Sequence, residues 1–187
     1  RQGNRNDASV NISGGQGKMD YLISLGYLDE KSFLVRSDFK RYTGRVNINN
    51  QALPWFRTGL NLSGTFVKSN LASSTRGTAF VNPFNFARNI GPIFPVYAYD
   101  PANPGQYLLN GLGEKQYDFG NLSALGLPNR PGGGYGGRHI VAETELNQEF
   151  FNRNAWGART YGEISFLKDF KFTTNVTVDA SNRTDYD

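Results

Sequence analysis

Lys18–Glu30 reads KMDYLISLGYLDE and Phe39–Asn50 reads FKRYTGRVNINN, and these two runs decide the fold. In an extended chain successive side chains point to opposite faces. Met19, Tyr21, Ile23, Leu25 and Tyr27 therefore share one face of the first run, while Lys18, Asp20, Ser24 and Gly26 share the other with Leu22 and Leu28. The second run obeys the same rule, with Tyr42, Gly44, Val46 and Ile48 alternating with Arg41, Thr43, Arg45, Asn47 and Asn49. Both runs predict strands with one uncharged apolar face and one polar face.

The same period extends in both directions. Upstream, Asn6–Ser13 places Ala8, Val10 and Ile12 on one side, and Gly14-Gly15-Gln16-Gly17 supplies residues able to turn the chain into a hairpin. Asp29–Asp38 is a charged connection. Downstream, Asn50–Pro54 turns the chain, and Arg57–Ser69 alternates with Leu60, Leu62, Gly64 and Phe66 on one side and Arg57, Gly59, Asn61, Ser63, Thr65 and Val67 on the other. After Asn70 the alternation stops for about eighty residues, far beyond an ordinary loop. It resumes at Arg153 with Trp156, Ala158, Thr160, Gly162, Ile164 and Phe166 on one face, turns at Lys168-Asp169, and continues with Phe170, Phe172, Thr174, Val176 and Val178. No helix of useful length is predicted. The expectation is an all-β, antiparallel up-and-down sheet, with strands over about 6–69 and 153–182 and one long loop over about 70–152.

Bulk composition narrows the classes. A hydrophobic fraction of 38% excludes a disordered chain. Mean hydropathy is −0.52 and no apolar run is long enough for a transmembrane helix, but alternating strands of a membrane barrel average to this value too. The net charge of +4 does not point to nucleic acid, because the cations are scattered; the densest group, Arg36, Lys40, Arg41 and Arg45, reads as a solvated strand end or pore wall. With no cysteine there is neither a disulfide framework nor a thiolate metal site. No leader pattern follows Arg1, so an internal piece of something longer is expected.

Alternation alone fits either a soluble β-sandwich, such as a glycan-binding module or adhesin, or a transmembrane barrel. Three features favour the barrel. The apolar faces of the six predicted strands lack Lys, Arg, Asp and Glu. Several strands run longer than globular ones, and the connections alternate short and long, as when one rim carries turns and the other loops. Trp55, Phe56, Phe166 and Phe170 gather near the short-turn rim, where an interfacial aromatic girdle belongs. Six strands cannot close in hydrocarbon, so further strands are expected from elsewhere.

The residues also resemble a known family. NISGGQGKMDYLISLGYLDE (Asn11–Glu30) with SDFKRYTGRVN (Ser37–Asn47) is similar to early barrel strands of SusC/RagA-like TonB-dependent outer-membrane transporters. NPFNFARNIGPIFPVYAYD (Asn82–Asp100) and YDFG (Tyr117–Gly120) look like that family's extracellular segment, and FLKDFKFTTNVTVD resembles its next hairpin. The resemblance implies about 22 strands around an internal plug. It further implies energisation by the TonB complex, a SusD-like surface lipoprotein partner, outer-membrane lipid around the barrel, and import of oligosaccharides or peptides in Gram-negative, Bacteroidetes-type cells. No plug domain and no TonB box are found in this chain.

Candidate sites follow from the facing. Arg41, Arg45, Asn47 and Asn61 are expected to face the lumen. Phe84, Phe86, Arg88, Tyr97, Tyr99 and Asp100 are the candidate substrate contacts, because planar rings beside hydrogen-bonding groups suit sugars and peptides. The competing expectation is that the rings form the loop's own small core. No catalytic residue, cofactor or metal is expected: Gly132–Gly137 (GGGYGG) lacks a strand-to-helix setting and reads as a loop tip. His139, the only histidine, reads as a solvated loop imidazole, and Asp179–Asp187 as a polar strand end rather than a calcium loop. Nothing in the sequence pairs Glu143, Glu145 or Glu149, so the chain is expected not to be an enzyme.

Overall fold

A computed structural model describes residues 2–71, 90, 93–121, 123–126, 128–131, 136–146, 149–167 and 169–186. Six strands form one antiparallel sheet in sequence order: β1 (Asn4–Gln16), β2 (Met19–Lys31), β3 (Asp38–Leu53), β4 (Phe56–Leu71), β5 (Glu149–Phe166) and β6 (Phe170–Tyr186). The chain divides into two compact units, the sheet (1–70 with 150–187) and the loop segment (71–149).

The registers carry the alternation across the whole sheet. Ile12 faces Ile23, Ile23 faces Val46, and Val46 faces Leu62, so one apolar row crosses four strands. The next row, Asn11, Ser24, Arg45 and Ser63, lies on the opposite face. A one-residue slip would exchange the two faces completely, which is why the pattern specifies the register. The first hairpin turns at Gly17 and Lys18, with φ of 61° at Gly17, the position where a II′ turn needs glycine.

The apolar face is left uncovered within the sheet unit. Val10, Ile12, Leu25, Phe66, Phe172 and Val178 are half or more exposed, and in the sheet Leu28 is the one buried apolar residue among those described. All the described strands belong to a single sheet, so no second sheet stacks on Tyr21, Ile23, Val46 and Leu60. At the turn end Trp55, Phe166 and Phe170 are exposed, with Phe166 and Phe170 stacked at 5.7 Å.

Within the strands as read from the sequence, Asp29, Lys40 and Lys68 fall on the apolar face by the same parity, which overturns the expectation that those faces carry no charge. The apolar face is uncharged through the middle of every strand, but Asp29, Lys31, Asp38, Lys40 and Lys68 continue it at the loop end. The hydrogen-bond ladder does not stop where apolar residues do. On β3 the apolar-face positions from Tyr42 to Asn50 carry no charge over about nine residues, roughly 23 Å of height at a 35–45° tilt.

The loop segment is more structured than the sequence suggested. Residues 96–100, 106–110 and 114–118 each bond to both of the others, through Leu108 N–H to Ala98 O (2.8 Å), Ala98 N–H to Gln116 O (2.9 Å) and Gln116 N–H to Leu108 O (2.9 Å). Ala98 is sealed inside, at 1% exposure. The described helical turns are short: Ile140–Leu146 forms a two-turn helix, α1, with Ala142 and Thr144 buried.

Candidate functional site

On the polar face, β3, β4, β5 and β6 form a concavity of about 420 Å³, lined by Arg45, Asn47, Asn61, Ser63, Arg159, Thr177 and Asp179 among others. The register makes this unavoidable, since Asn47 faces Asn61, Arg45 faces Ser63, and Arg159 faces Thr177. Three of the four residues expected to face a lumen thus sit together. Arg41 is on the same face of β3, between Leu28 and Val67, and does not line the concavity. Among the described residues Arg45 and Asp179 make no ion pair, while Arg159 donates to Asn175 Oδ1 at 3.3 Å.

Beside the concavity a polar chain crosses the strands. Asn49 Nδ2 donates to Asp20 Oδ2 at 2.7 Å, and Tyr161 O–H donates to Asn49 Oδ1 at 2.9 Å. Tyr161 reaches β3 from β5 because Gly59, on the intervening β4, has no side chain. A Cβ there would stand 2.7 Å from Asn49 Oδ1 and 2.8 Å from Tyr161 Cζ. Gly59→Val is therefore expected to displace the ring, break its bond to Asn49 and destabilise the sheet by roughly 1–3 kcal/mol. Urea unfolding of the reconstituted whole protein measures this. An unchanged midpoint would show that the ring does not depend on the gap.

In the loop segment six rings form a continuous row. Tyr99 stacks on Tyr107 (5.1 Å), Tyr107 meets Tyr97 edge-on (5.8 Å), Tyr97 stacks on Tyr117 (5.1 Å), and Tyr117 and Phe119 flank His139 (5.1 and 5.7 Å). Lys115 lies over Tyr107 at 4.3 Å and over Tyr97 at 5.4 Å, the geometry of cation–π attraction. Tyr99 is nearly half exposed, whereas Tyr117 gives its phenol proton to a hydrogen bond with Glu145. That bond, then burial, pushes the Tyr117 pKa well above the ordinary phenol value.

Of the candidate substrate contacts, Tyr97 and Tyr99 belong to this row. Asp100 closes a turn, accepting from Asn103 Nδ2 (2.8 Å) and Ala102 N–H (2.9 Å), bonds that hold its pKa below the usual carboxylate range. Phe84, Phe86 and Arg88 lie outside the described residues.

At the inner end of the row is a buried ion pair that sequence reading missed. Arg130 Nη2 lies 3.4 Å from Asp118 Oδ1, with side chains 4% and 10% exposed. Arg130 also donates to the Asp118 carbonyl and, at 3.4 Å, to the Arg138 carbonyl, and its guanidinium lies over Phe94. Asp118 Oδ1 accepts from Gly120 N–H at 2.7 Å. Gly120 has φ of 73°, and a Cβ there would stand 2.7 Å from Arg130 Cδ. The YDFG stretch thus needs its glycine twice over, for backbone angle and for space.

His139 corrects an expectation outright. It is 4% exposed, not solvated, because it caps α1: Nδ1 accepts from Ala142 N–H at 3.1 Å, and Glu143 Oε1 accepts from His139 N–H at 3.1 Å. Glu143 also pairs with Arg138 at 3.0 Å. Burial first, then the Arg130 charge, hold the His139 pKa below its ordinary 6.5, against the opposing pull of Asp118 and the Val96 backbone.

A depressed histidine pKa means that unfolding takes up a proton. The contribution is complete above pH 6.5 and is lost as pH falls below 6.5 through the lowered folded value. Protonation also removes the lone pair that caps Ala142. The protection of amides across α1, taken relative to their intrinsic exchange rate, is therefore expected to fall below pH 6.5, and His139→Asn, which can still cap, to flatten that dependence. An identical pH profile in that variant would sink the idea.

Among the described residues no group of His, Asp and Glu could hold a metal ion. Gly136 and Gly137 of the glycine run are described, and Gly137 N–H bonds to Phe119 O at 2.7 Å; Gly132–Tyr135 lie outside the described residues. Asn182–Tyr186 is a strand end carrying an Arg183–Asp185 pair.

No protein-family model matches the chain. Its sequence is similar to the TonB-dependent receptor SusC of Bacteroides thetaiotaomicron, 27% identical over 179 residues, and to a TonB-dependent receptor of Formosa agariphila, 27% identical over 126 residues. These alignments cover 94% and 66% of this chain. Its fold matches a chain of the RagAB peptide transporter with a TM-score of 0.65 over 96% of its length, at 17% identity. In sequence the chain is similar to TonB-dependent receptors, and in fold to a chain of RagAB. A second RagAB structure, of the peptide importer in the closed-closed state, matches the fold with a TM-score of 0.64, at 17% identity over 95% of this chain. The chain spans 16% and 12% of the two sequence relatives, and 18% and 17% of the two fold neighbours.

Proposed function

We propose that this chain is part of the barrel wall of a SusCD-like TonB-dependent transporter in a Gram-negative, Bacteroidetes-type outer membrane, importing oligosaccharides or peptides rather than catalysing a reaction. The carrying observation is the uncovered apolar face, uncharged through every strand centre and exposed across six paired strands. In water such a surface far exceeds the few hundred Å² a soluble monomer tolerates. In hydrocarbon it is the ordinary outer wall of a barrel, with its backbone groups satisfied by strand pairing. A soluble sandwich would place a second sheet on this face.

On this reading the polar concavity faces the lumen, with Arg45, Asn47 and Asn61 at its centre and Arg41 nearer the loop rim. The loop segment lies outside the cell, where a SusD-like lipoprotein would meet it and where the exposed face of Tyr99 is offered to substrate. Tyr97 and Asp100 serve the loop's own packing. TonB coupling falls to parts of the transporter beyond these residues. The sequence relatives named as TonB-dependent receptors and the fold neighbours named as a peptide transporter support import; a choice between sugar and peptide is not made.

Single cysteines in the whole transporter, labelled with a fluorophore and reconstituted with lipid-borne quenchers, test the facing. Quenching is expected at Ile23 and Leu62 and weak at Ser24 and Asn61. Equal quenching, or the reverse order, would refute the reading.

A further inference from the structure

The cations on the apolar face are not distributed evenly. At the turn end this face carries Gln16, Met19, Asn50, Thr58, Phe166 and Phe170, none of them charged. At the loop end it carries Lys31, Lys40 and Lys68, from three adjacent strands. Lys40 and Lys68 are direct cross-strand partners, an arrangement in which like charges repel. The nearby Asp29 does not remove the charge. Asp29 faces Lys40 across the ladder, yet its Oδ1 is buried with no hydrogen-bond partner, and among the described residues Lys31, Lys40 and Lys68 make no ion pair. Among the described residues Lys68 lies over the face of Phe150, at 5.8 Å.

One row towards the centre of the sheet, the same three strands place Tyr27, Tyr42 and Phe66 side by side, with Tyr27 and Tyr42 in ring contact at 5.1 Å. Ammonium groups above, rings below and an uncharged apolar wall beyond them reproduce, in order, the headgroup, interface and acyl region of one lipid leaflet. A free anion would satisfy the lysines and leave the rings in contact with nothing. A lipid carrying a phosphate satisfies both.

We propose that Lys40 and Lys68, assisted by Lys31, bind the phosphate of a phosphate-bearing lipid in the loop-side leaflet, with its acyl chains lying on Tyr27, Tyr42 and Phe66. The proposal rests on the membrane reading above and adds a bound lipid to it. Two lysines sharing one phosphate explain why a like-charged pair stands at the centre of the cluster: the anion between them turns repulsion into a bridge. Asp29 and Asp38, on the same rim, would repel a second anion and confine the site to one phosphate.

The test uses the detergent-solubilised whole transporter and monophosphoryl lipid A, with the same lipid after enzymatic dephosphorylation and inorganic phosphate as comparison arms. Retention of lipid through native mass spectrometry is the readout. The unaltered protein is expected to retain the phosphorylated lipid, and Lys40→Gln/Lys68→Gln to lose affinity on the order of tenfold or more. Lys18→Gln, at the opposite end of the sheet, should bind as the unaltered protein does. Equal retention by the double variant, or equal retention of the dephosphorylated lipid, would overturn the proposal. Displacement of the lipid by millimolar inorganic phosphate would reduce the site to a simple anion site and overturn it as well. The cysteine quenching pattern, measured on the same preparations, separates the two levels. A lipid-facing Ile23 with no lipid A retention defeats only this inference, whereas a wet Ile23 defeats the membrane reading beneath it.

Discussion

Replacing Arg130 by Met is expected to unfasten the loop segment while leaving the six-stranded sheet paired. The loss leaves the Asp118 carboxylate, 10% exposed, without the charge 3.4 Å away that compensates its burial. Breaking one side of such a pair costs roughly 3–5 kcal/mol, more than a small segment held by a few bridges can absorb. Asp118→Asn is expected to do the same from the other side by leaving the Arg130 charge uncompensated, although its amide oxygen can still accept from Gly120 N–H. The double variant, Asp118→Asn with Arg130→Met, should be milder than the sum, because no unpaired charge is then left behind. Hydrogen exchange resolves the outcome. Amides at Gly120, Arg130 and Gly137, bonded inside the segment, should lose protection, while those of β2 and β3 keep theirs. Unchanged protection at Gly120 in both single variants would mean that the pair is incidental to the loop's order.

The contrast between the two units explains what could be read from the sequence. In the sheet, each residue's partner is fixed once the face and turn are known, so Ile23, Val46 and Leu62 announce their row by period alone. The charges on the apolar face were missed although parity alone places Asp29, Lys40 and Lys68 there, because the apolar residues at each strand centre set the face and the backbone ladder runs on past them. The polar concavity followed from the same parity, which is why Arg45, Asn47 and Asn61 came together; Arg159 and Asp179, across another hairpin, were not among the residues expected to face the lumen.

The loop segment offered no comparable rule. Its determining contacts join Asp118 to Arg130, Tyr117 to Glu145 and His139 to Phe119, pairs without periodic spacing whose partners are chosen by the folded path. One local signal was present. A glycine directly after Tyr-Asp-Phe, and a histidine followed four residues on by Glu143, mark a left-handed turn and a helix start. Read together they would have placed His139 at a cap rather than in solvent. The rings did announce themselves, and the expectation that they form the loop's own core describes Tyr97 and Tyr117 better than direct substrate contact does.

Ile12→Arg and Asn11→Arg place the same new cation one residue apart on β1, both at exposed positions, on opposite faces of the sheet. If the apolar face meets hydrocarbon, the first sits at mid-height, in the row of Ile23, Val46 and Leu62, and costs about 2–4 kcal/mol. The second enters the polar face beside Ser24, where water and hydrogen-bond acceptors are at hand, and costs little. If both faces meet water, the two changes become equivalent surface substitutions, each within about 0.5 kcal/mol. The difference between them therefore measures the solvent on the Ile12 side directly, without any assumption about the rest of the barrel. It is read as the shift in folding midpoint of the whole transporter in lipid vesicles, with assembled outer-membrane yield as a second readout. A gap above about 2 kcal/mol is expected. A gap near zero would return the sheet to water and remove the physical ground for transport, because the uncharged rows from Ile12 to Leu62 would then have no hydrocarbon to explain them.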